Sequence, residues 1–214
     1  MTTALVIGAR GRTGALVVDE LLRAGLTVSG TVRRPEHADA LRRSGAAAHL
    51  LHLLSATTEA IATVMTGIDA VVYTAGSSHG SRRDVVDQVD GEAIIRAADA
   101  AVQAGVERFV LVSAHRTDED FGGDDVVHLL RAKRRADAHV RSTPLGWTII
   151  RPDALTEGPP TGAVQLGIRI PNGALPRADL ARLIHAVLTT PSSARKQFEV
   201  IGGSVPIRTA LNRL

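Results

Sequence analysis

Along the first 150 residues, short apolar runs alternate with longer stretches of helical period. Ala4–Ile7, Leu26–Val32, Ala46–Leu53, Ala70–Thr74, Phe109–Ser113 and Trp147–Ile150 are four to eight residues long and apolar on both faces, the pattern of strands buried in a parallel sheet. Between them lie Gly14–Ala24, Glu36–Ser44, Thr58–Met65, Val85–Ala104 and Asp125–Arg141, read as helices. Several stop at a glycine that suits a left-handed cap, as in Ala24-Gly25, Ser44-Gly45, Thr66-Gly67 and Ala104-Gly105. This alternation predicts a single doubly wound, Rossmann-like α/β domain over residues 1–214, with a mostly parallel sheet and helices on both faces. After Ile150 the rhythm loosens: 151–173 holds four of the nine prolines and four glycines, then Arg177–Thr189 resumes helical period and Gln197–Ile201 reads as a last strand. A loop-rich segment at the carboxyl edge of a parallel sheet is where such folds build substrate pockets, so about 151–175 and the C-terminal segment are assigned to that role.

The first strand runs directly into Gly8-Ala9-Arg10-Gly11-Arg12-Thr13-Gly14, which opens the first helix. Gly8 permits the tight turn, Gly11 lets backbone approach a pyrophosphate, and Gly14 lets helix lie close to strand; the helix N-terminus offers N–H groups to the anion. The bland alternative is a structural strand-to-helix turn. A carboxylate at the end of the second strand would hold the ribose 2′-hydroxyl of NAD, but this chain has Arg33-Arg34 there. Two guanidiniums suit a 2′-phosphate, so NADP(H) is expected over NAD(H), with Arg10 able to join them. Otherwise the pair is a solvated basic start to the loop before Pro35.

Composition narrows the chemistry. Zero cysteines exclude disulfides, a thiol nucleophile and thiolate metal sites. A pI of about 10.1 accompanies a formal charge of only +3. Twenty-three of the 25 basic residues are arginine, so little titrates between pH 8 and 11 and a small excess moves the pI far upward. No basic block with interleaved aromatics accompanies it, and no nucleic-acid partner is expected. The start, MTTALVIGARG, lacks a secretory pattern and no stretch approaches 18 apolar residues, so a cytoplasmic protein without membrane contact is expected. No G-x-S-x-G elbow suggests a hydrolase. The carboxylates Asp118, Glu119, Asp120, Asp124 and Asp125 do not fit an EF-hand spacing; they read as a mobile, solvated loop, and Arg131, Arg134 and Arg135 as a wet helical face.

The turn GARGRTG, the segments VVYTAGS, VDGEAIIRAADAAVQAGVERFVLVSAH and AKRRADAHV, and the run WTIIRPDALTEGPPTG together resemble the atypical short-chain dehydrogenase/reductase superfamily. The subgroup it is most similar to comprises small NAD(P)-binding proteins related to biliverdin reductase B, flavin reductases and NmrA-like regulators. The resemblance implies that Gly8, Arg10, Gly11, Arg12, Thr13 and Gly14 hold the cofactor's phosphates, that Arg33 and Arg34 hold the 2′-phosphate, and that Ala75, Gly76 and Ser77 line a ribose. It further implies that Ser113 polarises a substrate carbonyl, that Lys133 bonds the nicotinamide ribose, and that Pro152 passes near the carboxamide.

The chain departs from that pattern where a tyrosine should stand one helical turn before the lysine: Leu129 is there. The one tyrosine, Tyr73, lies inside a predicted strand and is expected to pack in the sheet. The acidic residue many relatives carry after the third strand is replaced by about Leu54. His115, two residues past Ser113, is a candidate proton donor on the expected rim. His79 is a weaker one, and His128 lies about 140° around the helix from Lys133. The expected function is NADPH-dependent hydride transfer to a small conjugated acceptor such as a quinone, flavin or carbonyl compound. The alternative is a non-catalytic NADP(H)-binding sensor. The protein is expected to act as a monomer, or as a homodimer through its long Val85–Ala104 and Asp125–Arg141 helices.

Overall fold

A computed structural model describes residues 2–78 and 80–214. Its strands, in chain order, are β1 (Thr3–Ile7), β2 (Thr27–Val32), β3 (Ala47–Leu50), β4 (Ala70–Tyr73), β5 (Arg108–Val112), β6 (Gly146–Pro152), β7 (Ala154–Thr156), β8 (Ala163–Gly167), β9 (Ala174–Pro176), β10 (Lys196–Gly202) and β11 (Val205–Pro206). The helices are α1 (Arg12–Arg23), α2 (Pro35–Arg43), α3 (Thr58–Val64), α4 (Arg83–Val86), α5 (Ala93–Gln103), α6 (Asp124–Ser142), α7 (Arg177–Leu188) and α8 (Ile207–Leu211). A π-helical turn, Asp87–Glu92, joins α4 to α5. Across the main sheet the order is β11-β8-β10-β6-β5-β4-β1-β2-β3. From β3 to β10 every neighbouring pair is parallel, and β8 runs against both β10 and β11. The order reverses between β1 and β4, so the crevice of a doubly wound sheet opens beyond their carboxyl ends.

Period-two alternation divides the core. Ala4 and Val6 of β1, Val72 of β4, Val110 of β5 and Ile150 of β6 face one way and pack with Val17 and Leu21 of α1 and Leu180, Leu183 and Ile184 of α7. Leu5, Ile7, Tyr73, Phe109, Leu111 and Ile149 face the other way, onto Ile61 of α3, Ile94 and Ala97 of α5 and Ala136 and Val140 of α6. Both faces are therefore dry, as the unbroken apolar runs require. Each such large side chain contributes roughly 1.5–3 kcal/mol on burial.

The departures from expectation cluster at the ends. β3 stops at Leu50, which is 56% exposed, because an outermost strand has no further neighbour to hold Leu51–Leu53 in the ladder. The segment after Ile150 is less loop-like than its prolines and glycines suggest: β7 pairs in parallel with β9 as a separate ribbon, while β8 and β11 extend the main sheet. Strands of two to five residues are too short to carry a legible period.

Candidate functional site

The turn after β1 is shaped by what its glycines leave out. Gly8 sits at φ +87° and a Cβ on it would lie 2.8 Å from the Ala75 backbone nitrogen, so the turn rests directly on the chain leaving β4. A Cβ on Gly14 would be driven into the Gly8 carbonyl. Gly11 donates to Gly8 O at 2.9 Å and starts α1, whose first turn has neither a side-chain cap nor an acidic residue. Uncapped N–H groups beside a bare backbone cradle fit an anion. Gly30 in β2 completes the packing, since a Cβ there would collide with Ala9. Arg10 and Arg12 are exposed beside the turn, and Arg33 and Arg34 are exposed past the end of β2. Arg33 makes no ion pair among the described residues, and Arg34 reaches only Glu36, at 3.9 Å.

From this turn a chain of contacts leads to Lys133. Ala75 touches Gly8, and the Ser77 N–H donates to Asp90 Oδ2 at 3.1 Å. Asp90 Oδ1 lies 2.9 Å from Lys133 Nζ, with both side chains buried. Gly76 is exposed, and a Cβ on it would lie 3.4 Å from Asp90 Oδ1. The fold thus brings the glycine turn, Ala75-Gly76-Ser77 and Lys133 together through Asp90, a residue not foreseen from the sequence. The lysine has three donors and keeps two for a ligand. Asp90 stands on the π-helical turn, a device that often re-aims side chains at functional sites. The same turn takes the Tyr73 hydroxyl, which donates to Val89 O at 3.2 Å. Tyr73 is fully buried, and burial, with the Asp90 charge second, raises its pKa far above the usual phenol range. It packs in the sheet as expected.

Ser113, at the carboxyl end of β5, is 7% exposed and its Oγ has no partner in bonding geometry. It lies against Asp137, four residues after Lys133 on the same face of α6, whose Oδ1 is equally unpartnered. Asp137 Oδ2 takes two bonds from Arg151, Nε at 3.0 Å and Nη2 at 2.8 Å. The same guanidinium grips Asp118 in a fork, at 2.6 and 3.1 Å. Burial pushes the Asp137 carboxyl above the usual carboxylate range against the pull of Arg151 and the contact with Ser113. The Arg151 hydrogen bond instead holds Asp118 below that range. Pro152 is buried, and its carbonyl accepts the His115 N–H at 2.9 Å.

His115 is not on an open rim. It is 8% exposed, with Nε2 3.1 Å from Glu199 Oε2 and 3.2 Å from Ile170 O, because the chain after β5 folds under the 168–173 segment. Glu199 also accepts the N–H groups of Arg116 and Ile170. His128 faces the π-helical turn, 3.2 Å from Asp87. His79 lies outside the described residues. The acidic stretch is tied down rather than loose: Asp118 holds Arg151, Glu119 holds Arg169 at 2.6 Å, and Asp120 holds Arg131 and Arg134. Arg135 reaches Asp87 across to the π-helical turn. Arg131 and Arg134 are therefore anchors for that loop, a pairing that spacing alone does not reveal. Near Leu54, Arg96 donates to the carbonyls of Leu53 and Leu54.

The unforeseen members, Asp90, Asp137, Arg151 as an ion-pair partner, and Glu199, share one signal: a charge at an inward position of an otherwise apolar period, as in TIIRP and FEVIG. Such residues are buried only when paired.

A family model described as NAD(P)H-binding matches residues 8–191. The uncharacterized sugar epimerase YhfK of Bacillus subtilis (strain 168) is 31% identical over 98% of both chains. A Bacillus halodurans structure named as an NAD-dependent epimerase/dehydratase superposes over the full length of both chains with a TM-score of 0.93 at 30% identity. The oxidoreductase ylbE of Lactococcus lactis gives 0.88 at 25% identity, covering all of this chain and 96% of its own.

Proposed function

The chain belongs to the NAD(P)H-binding family, and from that premise we propose that it is an NADPH-dependent oxidoreductase reducing a small conjugated acceptor: a quinone, a flavin or a carbonyl compound. The observation that carries this reading is the continuous path from the glycine turn through Ser77 and Asp90 to Lys133 at the carboxyl edge of the sheet. Gly8, Arg10, Gly11, Arg12, Thr13 and Gly14 would receive the phosphates, Arg33 and Arg34 the 2′-phosphate, and Ala75, Gly76, Ser77, Lys133 and Pro152 the nicotinamide half. When bound, the nicotinamide supplies the hydride. Ser113, whose hydroxyl lies against Asp137, would turn to orient the acceptor, and Lys133, fixed by Asp90, would hold the ribose. Leucine at 129 supplies neither acid nor base, which favours acceptors whose reduced form takes its proton from water over alcohol–ketone interconversion. His115, held by Glu199, would reach a substrate only if the 168–173 segment moved. The protein acts on a small molecule, alone or as a homodimer.

NADPH oxidation against a panel of quinones, flavins and conjugated aldehydes tests the reading, with Lys133→Ala and Gly11→Asp as controls. Turnover lost in both variants is expected. Tight NADPH binding with no consumption above background by any acceptor would instead favour the sensor, the reading that Leu129 supports. Arg33→Ala should weaken NADPH about tenfold, the worth of one charge-assisted contact, and leave NADH unchanged; equal losses would refute the 2′-phosphate assignment.

A further inference from the structure

The far end of the chain reaches back to the phosphate-binding turn. Arg177, the first residue of α7, is 9% exposed, and its Nη1 donates to Thr13 Oγ1 at 3.1 Å across 164 positions. Its Nε donates to Glu157 Oε1 at 2.8 Å. That same carboxylate oxygen lies 3.6 Å from Arg12 Nη1. Two residues further along α7, buried Asp179 accepts the N–H groups of Thr161 and Gly162 at 2.7 and 2.8 Å. The start of α7 therefore grips the 157–162 segment at both ends while touching the turn that begins α1.

The direction of the Arg177–Thr13 bond has a chemical consequence. A guanidinium has donors only, so Thr13 Oγ1 must accept, and its own proton is left to point elsewhere. Thr13 sits in the first, uncapped turn of α1, where N–H groups already face outward. We propose that Arg177 is a positioning residue for the cofactor: it fixes the Thr13 hydroxyl as a donor to the dinucleotide diphosphate, and Glu157 holds Arg177 and Arg12 in place for the same anion. Diphosphate binding is thereby coupled to the 157–162 segment, which lies in the stretch expected to form the substrate pocket. This rests on the dinucleotide reading above and adds to it a ligand-orienting device from the opposite end of the chain.

The test is a double-mutant cycle read by equilibrium binding, by calorimetry or nicotinamide fluorescence, with no turnover required. Two probes are used: NADPH, and adenosine 2′-monophosphate, which carries the 2′-phosphate but no diphosphate bridge. Thr13→Val and Arg177→Gln should each raise the NADPH Kd roughly tenfold, and the double variant no more than the worse of the two. Neither should change the affinity for adenosine 2′-monophosphate. Glu157→Gln, at a side chain 62% exposed, tolerates substitution and should raise the NADPH Kd about threefold with the same indifference to the smaller probe. Losses that multiply in the double variant, equal weakening of both probes, or unchanged NADPH binding in all three variants would overturn the proposal while leaving the dinucleotide reading intact. Wild-type protein that binds neither probe would overturn both.

Discussion

The glycine turn after β1 and the sheet edge around Lys133 are built on opposite electrostatic principles. Around the turn, Arg10, Arg12, Arg33 and Arg34 are exposed, their ion pairs few and long, and shape is set by glycines whose missing Cβ atoms make room. At the edge around Lys133, Lys133, Asp90, Asp137 and Arg151 are buried and paired at 2.8–2.9 Å, and Ser113 lies against Asp137. One region leaves its cations in solvent. The other satisfies its charges internally. An apparent surplus of arginine thus divides into side chains left in solvent and side chains, such as Arg151 and Arg134, that tie remote segments together.

The contrast can be broken most severely at the turn. Gly14→Ala forces a methyl group into the Gly8 carbonyl, and should lower stability by about 3 kcal/mol or more and NADPH affinity at least a hundredfold. Denaturant unfolding and NADPH titration check both; a variant with wild-type values would mean that the turn is not tightly packed. At the other pole, Arg151→Met leaves Asp137 buried without its cation and should cost about 3–5 kcal/mol in urea unfolding. A loss below about 1 kcal/mol would show that water reaches the pair.

A smaller effect sharpens the comparison through pH. The Asp137 carboxyl titrates higher in the native protein than in the unfolded chain, so the native state holds its proton longer and stability falls as pH rises through that interval. Asp118 has the opposite sign: its lowered native value gives stability present above the ordinary carboxylate range and lost as pH falls. Asp137→Asn removes the first contribution alone. The unfolding free energy of the wild type relative to this variant should therefore decrease as pH rises above the ordinary carboxylate range, and a difference that grows with pH there would contradict the raised native value.

The turn GARGRTG and the central strands were legible because each is specified within a few residues: a strand period, and three glycines at fixed spacing. The His115 position was not. Two residues past Ser113 suggests a rim, but the 168–173 segment, more than fifty residues away, covers it and Glu199 takes its Nε2. Asp118 and Asp120 of the acidic run are solvent-exposed as expected, but their pairing with Arg151, Arg131 and Arg134 was not legible, because the partners stand 11 or more residues away on other elements.

By itself, then, the sequence determined the α/β alternation, the glycine turn that opens α1 and the missing tyrosine at 129, because periodicity, glycine spacing and residue identity are local properties. Only the tertiary structure decided that Asp90 joins Ser77 to Lys133, that Arg151 is shared between Asp118 and Asp137, and that Arg177 returns to Thr13. Burial makes an unpaired charge costly, and which partner meets that demand depends on how the sheet order brings distant segments side by side.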